Sequence, residues 1–295
     1  MNNQYIDRIS VGDCREHLAI LEKESIDLFL SDIPYGISLD DWDVLHSNTN
    51  SALLGASPAQ QGKTAFKRRG KPINGWSEAD RLMPQEYQNW CNSWSALLYP
   101  LMKEGASLFV FGARRTIHRV IISFEDNGFI LKDVIVWKKP AAHHRAQKLS
   151  SIFEKRLLKE EAEKWKGWRL GNLAPAYEPI AWFFKPYKKT ITDNILKNNL
   201  GGMNIEAVKK LGVSPTNVLE YRFQAGEKRF HEAQKPEDLM SFFIQLTTIE
   251  GQTVLDPFMG SGTTAVCAKK MDRHFIGFEM NKDYVVIAEN RLKKI

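Results

Sequence analysis

Residues 252–279, QTVLDPFMGSGTTAVCAKKMDRHFIGFE, place a glycine-rich turn between two apolar runs. The pattern predicts a strand over 252–258, a turn that opens a helix over 263–271, and a strand over 274–279. The second strand ends in an acid that follows Gly262 by 17 residues. In such a unit the glycines let the backbone approach a ligand, the helix N–H groups face a negative group, and the acid binds ribose hydroxyls. The stretch therefore predicts a nucleotide-type cofactor on a parallel α/β sheet.

The sequence SDIPYG at residues 31–36 ends another apolar run, Ile26–Leu30, which predicts a buried strand. An acid, a proline and a tyrosine at the end of a strand contribute little to a core. At the carboxyl edge of a sheet, where open α/β folds bind ligands, they can present a carboxylate and an aromatic face. A strand-ending turn explains the same residues, because Asp and Pro favour turns.

Strands and helices alternate between these two motifs, as in a parallel sheet with helices on its faces. The pattern predicts a short capped helix from Asp13 to Leu21, a helix that begins at Pro84 and ends at Gly105, a strand over Ala106–Phe111, a helix over Ala113–Asp126, and strands over Phe129–Trp137 and Pro179–Phe184. Three stretches interrupt the alternation. We interpret 38–82 as a mobile flap, 138–175 as a basic insertion with one amphipathic helix over Ile152–Trp165, and 186–230 as irregular.

The composition is that of a soluble globular protein, because 43% of the 295 residues are hydrophobic and 26% are charged. The N-terminus lacks a signal-peptide pattern, and no apolar run is long enough to span a bilayer. Three widely separated cysteines, and histidines without ligand spacing, argue against disulfides and a metal site. These features predict a cytoplasmic protein with no membrane partner and no metal. The net charge of +6 suits a nucleic-acid partner without proving one.

Three motifs together resemble those of the β class of amino-group DNA methyltransferases. Asp256–Thr264 resembles the S-adenosylmethionine loop of this family, Asp32–Tyr35 its catalytic Asp/Asn/Ser-Pro-Pro-Tyr tetrad, and His231–Pro236 the segment before the cofactor loop. The order, with the tetrad first and the loop last, is that of the circularly permuted β class. The resemblance implies one catalytic domain over 1–295 with a Rossmann-like, permuted α/β fold. Its sheet is expected to be mixed, mostly parallel and seven-stranded, with helices on both faces and inserted DNA-binding segments.

The resemblance also implies which residues bind S-adenosyl-L-methionine, whose product is S-adenosylhomocysteine. Residues 231–295 form the main cofactor-binding part, in which Glu279 would hold the ribose and Lys235 the methionine carboxylate. Asp13 and Cys14 would lie beside the adenine ring, although Asp13 also has capping-box spacing to Glu16 and so is explained as a helix cap. The full predicted set is Asp13, Cys14, Asp32, His231, Gln234, Lys235, Pro236, Asp256, Pro257, Phe258, Gly260, Ser261, Gly262, Thr263, Thr264 and Glu279.

The tetrad implies methyl transfer to the exocyclic N6 amine of adenine, which is a weak nucleophile because its lone pair is delocalised into the ring. By resemblance, the Asp32 carboxylate accepts one N–H and the Ile33 carbonyl accepts the other, which favours a tetrahedral nitrogen. Pro34 stiffens the turn and Tyr35 stacks on the base. Ile33 stands where the family usually has its first proline, so the sequence departs from the pattern there. Asp at the first position favours adenine N6, with cytosine N4 as the alternative target.

The expected partner is duplex DNA with the target adenine flipped out, because a base inside a duplex cannot be reached. The predicted phosphate contacts are Lys67, Arg68, Arg69, Lys71, Lys138, Lys139, His143, His144, Arg145, Lys188 and Lys189. The stretch 186–230 is the predicted target-recognition region. It contains no familiar recognition domain, so we hypothesise short or relaxed specificity, similar to that of low-specificity adenine methyltransferases carried by prophages. The expected location is the cytoplasm of a bacterial or phage-infected cell, and both a monomer and a homodimer fit these features.

Other functions remain open at this point. One is methylation of RNA or of a protein side-chain amide; Asp rather than Asn at position 32, and the order of the motifs, argue against the amide. A second is an NAD-dependent oxidoreductase built on Gly260-x-Gly262-x-x-Ala265, which leaves the tetrad unexplained. A third is an inactive DNA-binding module, against which the intact Asp32 and Tyr35 argue.

Overall fold

The computed structural model describes residues 4–35, 78–140, 147–170, 173–210, 212, 215–230 and 234–295. The strands are β1 (Arg8–Val11), β2 (Ile26–Asp32), β3 (Met102–Phe111), β4 (Ile130–Lys138), β5 (Tyr177–Phe184), β6 (Val218–Leu219), β7 (Thr253–Asp256) and β8 (His274–Glu279). The helices are α1 (Cys14–Leu18), α2 (Glu78–Leu98), α3 (Ile117–Asp126), α4 (Leu149–Lys155), α5 (Lys159–Lys164), α6 (Ile191–Asn198), α7 (Ile205–Lys210), α8 (Glu237–Thr247), α9 (Thr263–Lys270) and α10 (Lys282–Leu292).

The eight strands within the described residues form one sheet, in the order β1-β8-β7-β2-β3-β5-β4-β6. β5 runs antiparallel to its neighbours β3 and β4, and every other pair is parallel. The predicted mixed, mostly parallel sheet is therefore confirmed, but it has eight strands rather than seven. The two residues of β6 and the four of β1 are too few for a period of two to reveal a strand in the sequence.

Helices cover both faces of the sheet, as predicted. α1, α2 and α3 pack on one face around Phe29, Trp94 and Phe124, which are fully buried. α8, α9 and α10 pack on the other face around a second apolar cluster that includes Leu28 and Leu30. Successive β2 side chains thus enter opposite layers, as the pleat requires. Because each fully buried side chain of this size contributes roughly 1.5–3 kcal/mol, the two layers hold β2 firmly between them.

Two predicted helix boundaries are wrong. α2 begins at Glu78, so Pro84 lies inside the helix rather than in its first turn. A proline removes only one N–H from the helix, and the buried face continues beyond it through Tyr87 and Cys91. Gly105 does not end α2 but lies in β3 with φ +81°, where a Cβ would lie 2.1 Å from Asn194 Nδ2 of α6. The close approach of α6 therefore explains why position 105 is a glycine.

The predictions for the interrupting stretches also change. The single helix expected over 152–165 is two helices, α4 and α5, with Leu157 between them at φ +62°. The stretch 186–230 is not irregular, because it contains α6, α7 and β6. Residues 36–77, most of the predicted flap, lie outside the described residues. Among the helices described, none is both long and apolar enough to cross a bilayer.

Candidate active site

The carboxyl ends of the parallel strands form one edge of the sheet. The direction in which successive strands are added to the sheet reverses between β2 and β7. The sheet continues from β2 to β3 on one side and from β7 to β8 on the other, so β2 and β7 flank the switch point. In open α/β sheets a ligand crevice forms at such a point. Asp32 ends β2, Asp256 ends β7 and Glu279 ends β8. The topology therefore brings three predicted site acids to one crevice.

Asp32 lies in a charged group of side chains, here called the acceptor cluster, which comprises Asp32, Tyr35, Lys139, Glu178 and Lys235. The Tyr35 hydroxyl donates to Asp32 Oδ1 over 2.8 Å, and the Lys235 ammonium pairs with Asp32 Oδ2. Lys235 is only 4% exposed, and its Nζ lies 5.6 Å and 5.4 Å from the ring centroids of Tyr35 and Phe111. Carboxylates and aromatic faces together replace the water that this ammonium has lost.

Glu178, the second residue of β5, completes the acceptor cluster. Its Oε2 lies 3.2 Å from the Tyr35 hydroxyl and 3.6 Å from Lys235 Nζ, and its Oε1 pairs with the Lys139 ammonium. Glu178 reaches this edge because β5 is antiparallel and therefore begins where its neighbours end. The cluster thus holds two carboxylates and two ammonium groups.

The charges of the acceptor cluster act on one another's pKa values. Burial raises the pKa of Asp32 above its usual value, although Lys235 opposes this effect. Burial acts in the same direction on Glu178, but the Lys235 and Lys139 ammonium groups bring its pKa below the usual value. Burial alone would lower the pKa of Lys235, but the Asp32 and Glu178 carboxylates raise it. Lys235 and Glu178 therefore stay charged near neutral pH.

The backbone after Asp32 is fixed by hydroxyl groups from outside β2. The Tyr87 hydroxyl of α2 donates to the Pro34 carbonyl over 2.7 Å, and the Thr116 hydroxyl donates to the Tyr35 carbonyl over 3.1 Å. Ile33 is fully buried in the layer that contains α2. At the position where the resemblance expects a proline, this chain thus anchors the turn by apolar packing.

Asp256 and Glu279, here called the loop acids, are held by neutral donors. Asp256 accepts hydrogen bonds from Ser31 Oγ (2.6 Å), Thr264 Oγ1 (2.5 Å) and the Phe258 N–H (3.1 Å). It is 2% exposed, and this burial raises its pKa to about 6. Glu279 accepts from the N–H groups of Gly260 and Asn281, each over 2.8 Å. Burial raises the pKa of Glu279 too.

The two glycines of the loop serve different purposes. Gly262 adopts φ +84°, and a Cβ there would lie 2.5 Å from the Cβ of Ala288 in α10. Gly260 adopts φ +54°, but a Cβ there meets no atom of the described residues within 4 Å. Gly262 is thus explained by helix packing, whereas Gly260 borders open space over the loop, as expected of a cradle for a ligand.

Arg291 of α10 ties the loop to the start of α8. Its guanidinium donates to the Ser261 carbonyl (2.7 Å) and Thr263 Oγ1 (3.1 Å), and it pairs with Glu237 (2.9 Å). The Ser261 hydroxyl also donates to Gln234 Oε1 over 3.3 Å. The loop and the segment that carries Lys235 are therefore held in fixed relation.

A sequence model of the N6/N4 methyltransferase family, described as DNA methylase, matches residues 26–290 of this chain. The chain belongs to this DNA methylase family. It is 49% identical over 294 residues to the type II methyltransferase M.HindIII of Haemophilus influenzae, covering 97% of this chain and 95% of that protein. It is 26% identical over 299 residues to the type II methyltransferase M.HinfI of the same species, covering 99% of this chain and 70% of that protein.

Solved structures share the fold of this DNA methylase. The PvuII DNA methyltransferase, described as cytosine-N4-specific, matches with a TM-score of 0.62 at 21% identity, over 96% of this chain and 85% of that one. The complex of M1.HpyAVI with S-adenosylmethionine matches with a TM-score of 0.54 at 22% identity, over 97% and 98%. The NAD-dependent oxidoreductase considered from the glycine pattern is not supported by this family membership.

The methylase acts on DNA with S-adenosyl-L-methionine as methyl donor, and the loop fits this cofactor. A Cβ on Gly260 would meet no atom of the described residues within 4 Å, so there is room beside the loop backbone. Among the same residues no cation pairs with either loop acid, which suits a cationic sulfonium compound with ribose hydroxyls. No group of three or more metal-ligating side chains occurs in the part of the chain that the structure describes.

The predicted cofactor residues differ in their contacts and in their distance from the glycine loop. Asp13 caps α1 by accepting from the Arg15 N–H over 2.8 Å, and β1 brings it beside β8, where the Gly12 N–H donates to the Glu279 carbonyl. Cys14 is buried, and burial raises the pKa of its thiol to about 12. Lys235, predicted to bind the methionine carboxylate, pairs with the Asp32 carboxylate, and its contact with the cofactor stays a prediction. The other predicted loop residues lie in the turn between β7 and α9 and in the first turn of α9, and His231 is outside the described residues.

The predicted phosphate contacts separate into three groups. Lys138 is exposed at the site edge and pairs with Glu220 over 2.6 Å, whereas Lys139 belongs to the acceptor cluster. Lys188 and Lys189 follow the antiparallel β5 and therefore lie at the opposite edge, where Lys188 is 3.7 Å from Glu104. These two lysines therefore lie away from the acceptor cluster, and their contact with DNA stays a prediction. Lys67, Arg68, Arg69, Lys71, His143, His144 and Arg145 lie outside the described residues.

Sequence reasoning missed several residues that build the site. Glu178 was left out because the strand was predicted to start at Pro179, one residue later. An acid next to an otherwise apolar run is the signal that could have drawn attention to it, as it did for Asp32. The hydroxyls of Tyr87 and Thr116 and the guanidinium of Arg291 had no such signal, because their partners are distant in the sequence.

Proposed function

We propose that this DNA methylase transfers a methyl group to the N6 amine of an adenine flipped out of duplex DNA, with Asp32 as the catalytic acceptor. The observation that carries the proposal is the position of Asp32. Its carboxylate ends β2 at the switch point, beside Asp256 and the glycine loop, and is oriented by Tyr35 and Lys235. Such a carboxylate can accept one N–H of an amine in the crevice.

The bound cofactor supplies an electrophilic methyl group on a positively charged sulfur. Asp32 would accept one N–H of the target amine and the Ile33 carbonyl the other, which directs the nitrogen lone pair out of the ring plane. As the nitrogen–methyl bond forms, the methyl–sulfur bond would break, and the amine would release the N–H proton that is directed at Asp32. Tyr35 stacks on the base. Fixing two reactants in line is worth on the order of 7–11 kcal/mol in favourable cases. A rigid anchor for 32–35 supports this role, and the hydroxyls of Tyr87 and Thr116 supply it.

The cofactor would be held by the loop and its two acids. Glu279 would accept the ribose hydroxyls while its Oε2 fixes the Gly260 N–H, and Asp256 would keep the loop shape through Thr264. Asp13, beside Glu279 across β1 and β8, and Phe258, which packs against Trp90 and Trp94, would border the cofactor.

Adenine is favoured over cytosine by the acid at position 32, since Ser at this position would suggest cytosine N4. Cytosine N4 is the second candidate, because the solved structure of a cytosine-N4-specific enzyme has the same fold at 21% identity. Both amines need the same acceptor geometry, so the two candidates differ in the base that the pocket admits.

DNA would approach the site edge. The insertion at 138–175 leaves and re-enters the sheet there, between β4 and β5, and Arg222, Lys228 and Arg229 are exposed between β6 and α8 at the same edge. Phosphate contacts from these groups would offset the few kcal/mol needed to flip a base and would make binding salt-dependent. α6 and α7, in the predicted target-recognition region at 186–230, lie at the sheet edge opposite the site. We therefore still predict short or relaxed sequence specificity.

The test incubates the full chain with DNA and S-adenosylmethionine and then digests the DNA to nucleosides. We expect N6-methyladenine with the wild type and none with Asp32→Ala. Asp272→Asn is the matched control, because Asp272 is an exposed acid in the turn before β8, at the opposite edge. N4-methylcytosine would reassign the target base, and activity retained in Asp32→Ala would overturn the role of Asp32.

Methylation mapped at single-base resolution on random DNA tests sequence specificity. A sharp motif of more than two or three bases would contradict the prediction of short or relaxed specificity.

A further inference from the structure

Glu178 is a partly buried acid that the steps above do not use. Its side chain is 17% exposed, and its carboxylate faces the Tyr35 hydroxyl, the Lys235 ammonium and the Lys139 ammonium. Within the described residues, none of these three partners belongs to the glycine loop. Its contacts thus all lie on the side of the site where the target base would bind.

Both oxygens of Asp32 already have partners in this arrangement. Oδ1 accepts from the Tyr35 hydroxyl over 2.8 Å, and Oδ2 pairs with Lys235. Each carboxylate oxygen can accept more than one hydrogen bond, but an amine N–H that approaches either oxygen shares it with the donor already there and weakens that donor's hydrogen bond. The competing donor therefore needs another acceptor within reach, because a buried donor left without a partner costs free energy.

Glu178 offers that acceptor to both donors. The Tyr35 hydroxyl has a single proton and two carboxylate oxygens nearby, Asp32 Oδ1 at 2.8 Å and Glu178 Oε2 at 3.2 Å. Rotation of the O–H bond alone redirects its hydrogen bond from Asp32 to Glu178. Lys235 Nζ, 3.6 Å from the same Glu178 oxygen, can strengthen its contact there by a small shift. Lys139 on the other oxygen keeps Glu178 ionised and in place.

We propose that Glu178 is a positioning residue that accepts the Tyr35 hydroxyl and retains Lys235 when Asp32 turns to the amine of the target base. The role rests on the proposed function of Asp32. Glu178 acts through Tyr35 and Lys235, and it touches neither reactant.

Glu178→Gln tests this role, since the amide keeps the shape and one acceptor oxygen but loses the charge. A neutral oxygen competes less well with the Asp32 carboxylate for the hydroxyl. We expect the single-turnover methylation rate constant to fall about tenfold, the scale of one charge-assisted hydrogen bond, with cofactor affinity unchanged within about twofold. Glu220→Gln is the matched control, because Glu220 also pairs with a lysine at this edge but is exposed.

A double-mutant cycle with Tyr35→Phe separates this role from simple structural support. Without the hydroxyl, Asp32 Oδ1 has no competing donor among the described residues, so the penalty of Glu178→Gln should shrink from about tenfold to about threefold. An undiminished penalty, or full activity of Glu178→Gln, would overturn the proposal. If Glu178→Gln does not fold, Glu178→Asp keeps the charge but, because its side chain is one methylene shorter, draws the carboxylate back from the Tyr35 hydroxyl. Wild-type rates in a folded Glu178→Asp would also overturn it. An inactive wild type would instead reject the proposed function itself.

Discussion

The two halves of the site hold their acids in opposite ways. In the acceptor cluster, Asp32 and Glu178 share two buried or half-buried ammonium groups. The loop acids, Asp256 and Glu279, are instead held by hydroxyl and backbone N–H donors. Within the described residues, no ion pair joins either loop acid to a cation. Both pairs of acids lie along the same sheet edge, so the contrast comes from the side chains and not from the fold.

This contrast separates two electrostatic tasks. Acids paired with ammonium groups have fixed orientations and nearly balanced charge, which suits precise acceptance of a neutral amine. Acids held by neutral donors keep an unbalanced negative charge, which attracts a cationic ligand but makes ionisation costly in a buried site. We therefore expect mutations in the two halves to affect different measurements: the transfer rate in the acceptor cluster, and cofactor affinity or pH-dependent stability in the loop acids.

The largest effect is expected for Asp32→Asn. The amide keeps the size of the side chain but replaces one acceptor oxygen with a donor, which faces either Lys235 or the target amine. We expect the single-turnover methylation rate to fall on the order of 10²- to 10⁴-fold, as for the loss of a positioned acid–base group. Calorimetry should show unchanged cofactor affinity. A parallel loss of cofactor affinity would show that the two halves are not independent.

Asp256 gives the next largest effect, through pH. Its pKa rises from 3.8 to about 6 on folding, so between these values the folded state binds more protons than the unfolded state. The free energy of unfolding should therefore fall as pH rises through this window. A pKa raised from 3.8 to about 6 corresponds to about 3 kcal/mol of stability.

Urea unfolding of the wild type and of Asp256→Asn between pH 4 and 7 measures this contribution. Asparagine has no charge to lose, so the stability of the wild type relative to this variant should decrease with pH and level off above about pH 6. A difference that stays constant with pH would mean that the Ser31 and Thr264 hydroxyls compensate the carboxylate fully.

Glu279→Ala should weaken cofactor binding. The change removes the acceptor of the Gly260 and Asn281 N–H groups, and hydrogen bonds to charged groups contribute about 1.5–3 kcal/mol. We expect the Kd of S-adenosylmethionine to rise about 10- to 100-fold in calorimetry, while the methylation rate at saturating cofactor changes little. Glu289→Ala, an exposed acid on α10, is the control. A rate defect that saturating cofactor does not correct would place Glu279 in the transfer step as well.

The sequence predicted the loop half of the site better than the acceptor cluster. β8 matches its prediction to the residue, and the loop, its glycines and Glu279 lie in one continuous stretch. Local spacing is sufficient where a ligand site is built from one strand–turn–helix–strand unit. The tetrad at Asp32 was predicted as well, because it also follows its strand directly.

The partners of Asp32 could not be predicted in the same way. Lys235 is 203 residues away, and its contact with Asp32 depends on how the segment before α8 crosses the sheet edge. Glu178 reaches the site only because β5 inserts antiparallel between β3 and β4. The same reversal carries Lys188 to the far edge. In the sequence, Lys188 belongs to a basic cluster that had suggested a DNA contact. Strand direction is a property of the whole sheet, and no local pattern records it.

The smallest effect is expected for Gly260→Ala, and it tests whether the loop half has one function or two. Gly260 has φ +54° but open space around it, so alanine should cost only about 1–2 kcal/mol of backbone strain in urea unfolding. If that space receives the cofactor, the added methyl should also weaken cofactor binding beyond what the strain explains. Gly262→Ala is the contrast, because its Cβ would lie 2.5 Å from that of Ala288 and should destabilise the fold more. A Gly260→Ala chain that loses stability but binds the cofactor normally would show that the opening over the loop is not where the ligand lies, and would leave Glu279 as the main contact of this half.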